Sequence, residues 1–382
     1  MDFSQTDEQR ELAALARRIL TAKITPQRLA ELEAGGDMFD RAAWAELAQA
    51  GILAAALPES AGGSGLGFIE QCSVLAEIGR TVAPVPYLAS IVLGAGAIAE
   101  FGTPDQQKRW ATPAASGELV LTAALSEDDG DDPRAPAATA EPVKADGGWL
   151  LSGTKTAVLA APDAGLMLVP AATPDGVAVF LAGPGDDGVT VQRQQVTGGG
   201  SAGRVTLSGV RLAAERMLGA PADGPRIAGW LTSRGTVGLC ALQLGVAERA
   251  LELTAEYART REQFGRPIGS FQAVAQRLAD AYIDVEAIRL TMWQAAWELS
   301  ADPEAGAAGP KGSATAVATA KFWAADAGHR VAHTAVHVHG GMGIATEHQL
   351  HRYFTAAKLG EFALGGATAQ LRRIGAALAQ CG

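Results

Sequence analysis

The stretch FQAVAQRLADAYIDVEAIRLTMWQAAWEL, residues 271–299, carries the pattern that decides the fold. Its apolar residues are separated by alternating steps of four and three, at Val274, Leu278, Ala281, Val285, Ile288, Met292, Ala295 and Leu299. This spacing places a continuous apolar stripe on one side of a helix, and such a stripe packs against neighbouring helices in an antiparallel bundle. The pattern therefore predicts a long helix inside a helical bundle.

The stretches on either side repeat the pattern. The preceding one has its stripe at Leu239, Leu242, Val246, Ala250, Leu253 and Tyr257, and the following one at Val317, Ala320, Ala324, Ala327, Val331, Thr334 and Val338. A loop rich in Gly, Pro and Ala at 301–312 separates the last two of these helices, and a final helix covers about 370–378. We therefore predict a C-terminal four-helix bundle over residues 223–382.

The two regions before the bundle differ from it and from each other. Residues 1–118 show helical spacing, opened by a capping box of Thr6 and Gln9, and predict an N-terminal α-helical domain. Residues 119–222 predict a middle antiparallel β barrel or sandwich, because short β-type runs alternate there with Gly, Pro and Asp, at 149–152, 166–169, 177–181, 189–191 and 205–212. The predicted fold class is α+β, with several domains.

Composition limits the classes of function. The 382 residues have a formal net charge of −10, so nucleic acid or an anionic membrane surface would not be held by bulk charge. Cys72, Cys240 and Cys381 are odd in number and far apart, which favours a reducing compartment over a disulfide scaffold. The longest apolar run, about 87–99, is shorter than a membrane span, and the start of the chain does not resemble a signal peptide. We expect a cytoplasmic protein without a membrane span.

Two local patterns have simple alternative explanations. His329, His333 and His337 are spaced four residues apart and could bind zinc from one helix face, but an ordinary polar face explains them as well, and we predict no metal. Residues 199–203 match G-x-S-x-G; a nucleophile elbow, however, needs a strand before it and a helix after it, whereas here a glycine-rich turn precedes a strand. The sequence also lacks the glycine patterns of dinucleotide and P-loop phosphate sites.

Two motifs at helix ends are more informative. Residues 257–268, YARTREQFGRPI, place three arginines in the connection between two predicted helices. These arginines either complement a helix dipole or bind pyrophosphate oxygens. Residues 337–343, HVHGGMG, have more glycines than a helix C-cap requires. Close approach of the backbone to a bound ligand is the sharper interpretation of the second motif.

With these motifs the sequence resembles the acyl-CoA dehydrogenase family. The runs R-x-Q-F-G-x-P-I-x-x-F-Q at 261–272 and H-G-G-x-G at 339–343 are similar to its C-terminal hallmarks, and P-E-x-x-G-G-x-G at 58–65 and G-x-K at 153–155 to motifs of its other domains. The resemblance implies FAD held between subunits, an acyl-CoA substrate, and electron-transfer flavoprotein as the electron acceptor. It also implies FAD contacts by Arg261, Gln263, Phe264, Gln272, His337, Gly340, Gly341, Ser126 and Thr368.

The sequence departs from the family at the catalytic carboxylate. Leu364 occupies the position of the glutamate that usually removes the α-proton, and the alternative position in some relatives falls near Gly235 and Thr236. None of these side chains can act as a base at neutral pH. The catalytic residue is therefore unknown, with Glu361 and Glu127 as substitute acids.

Three hypotheses account for this departure. In the favoured one, the chain is one subunit of a heteromeric bacterial acyl-CoA dehydrogenase whose homologous partner supplies the carboxylate. The reason is that motifs facing a neighbour's FAD are retained, while those of the chain's own pocket are lost. In the second, the chain is a self-sufficient enzyme with a displaced base such as Glu361. In the third, it is a non-catalytic structural subunit without flavin. A flavin monooxygenase of the same fold is a further alternative.

Overall fold

The N-terminal region is helical. The computed structural model describes residues 6–128, 130, 132–144, 147–301 and 311–379. Thr6 and Gln9 form the predicted capping box, in which each residue's side chain accepts a hydrogen bond from the other's backbone N–H, at 3.2 and 3.0 Å. The helices are α1 (Asp7–Lys23), α2 (Pro26–Gly35), α3 (Arg41–Gln49), α4 (Phe68–Thr81), α5 (Gly96–Phe101), α6 (Pro104–Gln106) and α7 (Thr112–Ala115), and Tyr87–Ala95 winds as a π-helix before α5.

A mixed β-sheet follows. Its strands are β1 (Leu121–Ala123), β2 (Thr139–Val143), β3 (Gly148–Leu159), β4 (Leu166–Thr173), β5 (Gly176–Ala182), β6 (Val189–Gln194), β7 (Ala202–Leu212) and β8 (Met217–Leu218). They pair in the order β6-β7-β3-β2-β4-β5-β8, with β1 beside β4. The five predicted runs all lie in strands. Most pairings are antiparallel as predicted, but β1 and β2 each pair with β4 in parallel. Among the described strands, the two end strands β6 and β8 do not pair with each other, so the barrel is not closed and the sandwich alternative fits.

The C-terminal region is a helical bundle. The predicted helix at 271–299 is confirmed, and its apolar stripe is buried from Ala281 to Leu299. The prediction omitted one helix, Leu350–Phe362, because its buried positions include Arg352 and Gly360 and so do not form an apolar stripe. The bundle contains α8 (Gly224–Thr260), α9 (Gln272–Ala301), α10 (Lys311–His339), α11 (Leu350–Phe362) and α12 (Ala367–Ala379), with the two-residue strands β9 (Glu262–Gln263) and β10 (Arg266–Pro267) between α8 and α9. Most of the predicted 301–312 loop, and Cys381, lie outside the described residues.

Helix α8 connects the N-terminal helices to the bundle by direct backbone contact with α4. A Cβ on Gly79 would lie 2.0 Å from the carbonyl oxygen of Leu242, and a Cβ on Gly245 would lie 1.8 Å from that of Ala76. Only glycine permits this approach. One hydrophobic core runs through all three regions and includes Leu75 of α4 and Val179 of β5. The close packing of α4 on α8 holds the N-terminal helices against the bundle.

The most apolar helical segment is an internal one. Tyr87–Ala95 is buried along its whole length. Across the described residues, we find no helix long and apolar enough to cross a lipid bilayer.

Candidate functional site

The arginine-rich motif forms an exposed hairpin at the end of α8. Strands β9 and β10 pair antiparallel, with Gln263 opposite Arg266. Phe264 and Gly265, with φ of 56° and 75°, form the two-residue turn. A positive φ at both turn residues matches the twist of a hairpin, but phenylalanine is an unusual residue for this conformation. Phe264 is 92% exposed, so the turn presents an aromatic ring to the outside of the chain.

The hairpin packs against Phe271 on one side and leaves two polar side chains exposed. The Arg266 guanidinium lies 4.2 Å from the centre of the Phe271 ring, and Phe264 meets the same ring edge to face. The side chains of Arg261 and Gln272 are exposed and make no hydrogen bond or ion pair with the described residues. An unpaired guanidinium beside an exposed ring is suited to a phosphate-bearing group that comes from another molecule.

The glycine-rich motif lies next to this hairpin. Helix α10 ends at His339, whose ring stacks on Tyr257 of α8 with 4.3 Å between centres and whose Nδ1 lies 2.8 Å from the Ala335 carbonyl oxygen. Burial lowers the pKa of His339, which favours the neutral ring. Tyr257 stands one helical turn before Arg261, so the stack brings the two motifs together.

The remaining predicted FAD contacts vary in exposure. His337, Gly340, Gly341 and Thr368 are exposed, and a Cβ on either glycine would meet nothing within 4 Å. Gly340 has a φ of 65°. Ser126 is half-buried, and its carbonyl accepts a hydrogen bond from the Thr156 N–H at 2.9 Å. The exposed members leave room for a ligand or a neighbouring chain.

The expected position of the catalytic carboxylate is filled by hydrocarbon. A Cβ on Gly235 would lie 3.2 Å from Cδ1 of Leu364 and 3.6 Å from Cδ2 of Leu93. Two positions that were candidates from the sequence, Gly235 on α8 and Leu364 on the turn after α11, therefore face each other directly. Leu364 holds this place with a φ of 56°, which is costly for a leucine. The arrangement can bury an apolar group but has no proton acceptor.

Glu361 is already engaged by two basic side chains. Its carboxylate lies 2.8 Å from Lys358 Nζ and 3.1 Å from His329 Nδ1. Burial raises its pKa, but the hydrogen bonds from Lys358 and His329 outweigh burial, and the net pKa lies below the ordinary value. A base near neutral pH needs the opposite shift. The geometry favours a structural role for Glu361.

Glu127, the other substitute acid, belongs to a buried ion pair. Lys155 Nζ donates to its carboxylate at 2.6 Å, and the backbone N–H of Ala138 donates at 3.0 Å. Burial raises the pKa of Glu127, and the hydrogen bonds from Lys155 and the backbone lower it to a net value below normal. The lysine of the G-x-K motif thus anchors β3 to the segment before β2. Sequence reasoning missed this contact, although both residues were singled out.

The acidic stretch before β2 is partly neutralised. Besides the Glu127–Lys155 pair, Arg204 Nη2 lies 2.6 Å from Asp128 Oδ2 and Arg134 Nη2 lies 2.8 Å from Asp132 Oδ2. Asp129 and Asp131 lie outside the described residues. Close by, Gln194 Oε1 accepts the N–H of Ala157 at 2.7 Å. Sequence reasoning missed this hydrogen bond, because its acceptor lies on β6, far from Ala157 in the chain.

The histidine series on α10 and the G-x-S-x-G pattern at 199–203 both make contacts within the fold. The rings of His329 and His333 stack with 4.2 Å between centres. No group of three or more His, Cys, Asp or Glu side chains placed to hold a metal occurs in the described part of the chain. Ser201 lies directly before β7 and donates to Asp163 Oδ2 at 2.6 Å. Since a strand follows this serine, the strand–turn–helix geometry of a nucleophile elbow does not exist here.

Comparison with known proteins places this geometry in a family. Residues 6–118 match the model of the acyl-CoA dehydrogenase N-terminal domain, and residues 222–379 match that of the C-terminal domain. The chain is similar to acyl-CoA dehydrogenase FadE27 of Mycobacterium tuberculosis, with 51% identity over 100% of this chain and 99% of the relative. It is also 31% identical to the human mitochondrial short-chain specific acyl-CoA dehydrogenase, over 85% of this chain and 78% of that protein.

Two solved structures share the whole fold. A chain of the ChsE4-ChsE5 complex from Mycobacterium tuberculosis superimposes with a TM-score of 0.92 at 50% identity, covering 100% of this chain and 99% of that one. A chain of a variant of the Tcur3481-Tcur3483 steroid ACAD superimposes with a TM-score of 0.89 at 42% identity, covering 98% of both chains.

Proposed function

The chain belongs to the acyl-CoA dehydrogenase family, whose members are FAD-dependent oxidoreductases, and on that premise we propose that it is the subunit without a catalytic carboxylate in a heteromeric acyl-CoA dehydrogenase. The assembled enzyme would introduce a double bond between the α- and β-carbons of an acyl-CoA thioester. A homologous partner subunit would supply the carboxylate that takes the α-proton. Electron-transfer flavoprotein would receive the electrons.

The observation that carries this proposal is the contact between Leu364, Leu93 and Gly235. It fills with hydrocarbon the position that the resemblance assigns to the catalytic base. A positioned general base contributes a factor of about 100 to 10,000 in rate, so its loss leaves little dehydrogenation at this chain's own site. The chain retains the whole fold but lacks the base. A partner subunit that carries the base explains both features.

The residues present fit a flavin that another subunit also holds. Exposed groups that would bind it across the interface are Arg261, Gln263, Phe264, Gln272, His337, Gly340, Gly341 and Thr368. On the chain's own β-sheet the fit is poorer, because Glu127 is tied to Lys155 and only the backbone and hydroxyl of Ser126 remain. Bound FAD would supply the acceptor for the hydride that leaves the β-carbon.

The similar solved structures support the choice of partner and substrate class. The ChsE4-ChsE5 complex is heteromeric, and the Tcur3481-Tcur3483 protein is a steroid ACAD. We extend both features to this chain: a heterotetramer with a homologous acyl-CoA dehydrogenase, acting on a bulky, steroid-type acyl-CoA. The two alternatives, a self-sufficient enzyme using Glu361 and a structural subunit without flavin, predict different flavin contents.

Flavin content per chain is therefore the decisive measurement. The chain is purified alone and, separately, together with the product of a neighbouring acyl-CoA dehydrogenase-like gene, and the visible flavin spectrum and native mass are recorded. We expect little or no flavin for the chain alone and about half occupancy per chain in the complex. Full occupancy with acyl-CoA oxidation by the chain alone would instead establish self-sufficiency, and a flavin-free complex would establish a structural subunit. An oxygen-consumption assay separates a monooxygenase.

A further inference from the structure

A cavity lined by arginines lies between α1, the start of α2, the end of α4, α8 and the start of α11. Its volume is about 390 Å³. Four helices each contribute one arginine to its lining, and these are Arg17, Arg80, Arg249 and Arg352. Among the described residues that line it there is no aspartate or glutamate, and none of the predicted FAD contacts. The cavity is therefore a separate place where guanidinium groups converge without a carboxylate among them.

Two of the arginines are held by carboxylates that are not part of the lining. Arg17 donates to Glu77 from Nε and Nη2 at 2.8 and 2.7 Å. Arg352 donates to Glu33 from the same two atoms at 2.6 and 2.8 Å. In both arginines Nη1 makes no hydrogen bond with the described residues. Such pairs fix a guanidinium in one orientation, and a ligand then finds the remaining N–H groups already ordered.

The other two arginines share their nearest carboxylate. Glu252 accepts hydrogen bonds from Arg80 and from Arg249, the second at 3.0 Å. Arg80 also lies 3.4 Å from Glu248, but the closer partner of Glu248 is Arg289, at 2.6 Å and outside the lining. Two positive charges are thus balanced mainly by one close carboxylate. The remaining positive charge attracts an anion to the cavity.

Two helix N-termini add to this attraction. Helix α2 begins directly after Thr25 and α11 directly after Gln349, and both of these residues line the cavity. The N-terminus of a helix carries a partial positive charge and favours anions. Helices α1 and α4 also end at the cavity, and carbonyl groups there would oppose an anion, but the hydroxyl of Tyr353 donates to the Arg80 carbonyl at 2.9 Å. The arginines and the two N-termini therefore dominate.

We propose that this cavity binds a phosphate dianion, either free or as the monoester of a small molecule. Guanidinium forks match the oxygens of phosphate. The volume equals that of about a dozen water molecules at about 30 Å³ each, so a phosphate group leaves room for an organic group. Ile24, Leu29 and Val82 in the lining would contact that group. The inference concerns this chain's own arginines and does not depend on the proposed heteromeric reaction.

The first test adds one negative charge to the cavity wall. Thr21 is exposed and lines the cavity, so Thr21→Glu places a carboxylate beside the arginines and removes no ion pair. The full-length chain is titrated calorimetrically with inorganic phosphate at constant ionic strength and about pH 8, where phosphate is mainly a dianion. We expect one site with a dissociation constant of about 1 mM or lower. Thr21→Glu should weaken binding about tenfold or more.

The control for this variant carries the same change of charge. Ala22→Glu adds a carboxylate at the next position of α1, which is exposed and outside the lining. Solvent and salt screen its charge, so we expect phosphate affinity to change about twofold or less. Equal weakening by the two variants would show an effect of net charge alone and would overturn the proposal.

The second test removes one arginine. In Arg249→Gln the carboxylate of Glu252 keeps Arg80 as a partner, and we expect phosphate to bind about fivefold more weakly. Arg18→Gln, at an exposed arginine of α1 outside the lining, is the matched control and should change the affinity about twofold or less. If Thr21→Glu does not fold by circular dichroism, this pair decides, and equal affinities of its two variants overturn the proposal.

The source of the phosphate is distinguished by phenyl phosphate. Binding about threefold or more tighter than that of inorganic phosphate indicates an organic ester, and equal or weaker binding indicates free phosphate; both results support the site. No saturable phosphate binding by the wild type, or unchanged binding in folded Thr21→Glu, would overturn it. Binding that is lost in Arg261→Ala but retained in Thr21→Glu would place the anion at the hairpin and would also overturn it. A failed flavin count leaves these results unaffected.

Discussion

Lys155 shows how one residue of a recognisable motif acquires a structural role. Its side chain is completely buried, and that of Glu127, its partner, is 6% exposed. We expect Lys155→Met to lower the free energy of unfolding by about 3–5 kcal/mol, because it leaves a buried carboxylate without its counter-charge. Urea unfolding at neutral pH measures the change. Lys144→Met, at an exposed lysine in the turn after β2, is the control, and a loss below about 1 kcal/mol for Lys155→Met would show that the pair is not structurally important.

Arg261 is the residue on which the cross-subunit flavin contact can be tested most directly. In the complex with the partner subunit, we expect Arg261→Ala to weaken flavin binding about tenfold or more, because one charged hydrogen bond to phosphate contributes about 1.5–3 kcal/mol. The flavin absorbance retained after gel filtration gives the result. Arg259→Ala, two residues earlier and also exposed, should retain flavin. Unchanged flavin in Arg261→Ala would contradict the assignment.

At the scale of elements, the start of α3 depends on a buried carboxylate. Asp40 caps the helix by accepting the N–H groups of Ala42 and Ala43 at 3.1 and 3.0 Å, and Arg28 Nε donates to it at 2.9 Å. Burial raises the pKa of Asp40, but Arg28 and the two backbone donors outweigh it and hold the pKa below its ordinary value. The cap therefore stabilises the helix in its ionised form.

This shift predicts a pH dependence with a definite sign. The folded-state pKa lies below the unfolded value of about 3.9, so the stabilisation is complete above about pH 5 and is lost as the pH falls through the folded value. Asp40→Asn should be less stable than the wild type at neutral pH, and the gap should narrow toward pH 3. Thermal unfolding of both proteins over this range gives the comparison; a constant gap would contradict the assigned shift.

At the scale of the whole molecule, α9 shows an outer apolar stripe besides its buried one. Ile283, Leu290 and Trp297 are seven residues apart, and Ile283 is 64% exposed. An exposed apolar stripe of this kind is typical of a protein interface. Under the proposed function, the homologous partner subunit packs against it. We expect Ile283→Lys to reduce the native mass of the complex, while Gln276→Lys, at an exposed polar position on the same helix, should not. Native mass spectrometry distinguishes them, and an intact heterotetramer for Ile283→Lys would exclude this face.

Much of the architecture is determined by residues that are close together in the sequence. Steps of four and three define helix 271–299 whatever it packs against, and the Thr6–Gln9 box and the short β-type runs depend on near neighbours. The helix Leu350–Phe362 was not predicted, because its buried face includes an arginine and a glycine. The partners of these residues lie on other elements. The parallel pairing of β1 with β4 was also not predicted, because the relative direction of two strands depends on the path of the whole sheet.

The sequence by itself determined that Leu364 and Gly235, the positions that the resemblance assigns to the catalytic carboxylate, carry no acid. Only the tertiary structure decided what stands there instead: Leu364, on the turn after α11, contacts α8 at Gly235, 129 positions away in the sequence, and closes the site with hydrocarbon. It likewise decided that Glu361 and Glu127 are bound by basic partners. The physical reason is that a residue type depends on one position in the chain, whereas charge pairing and burial depend on which distant segments pack around it.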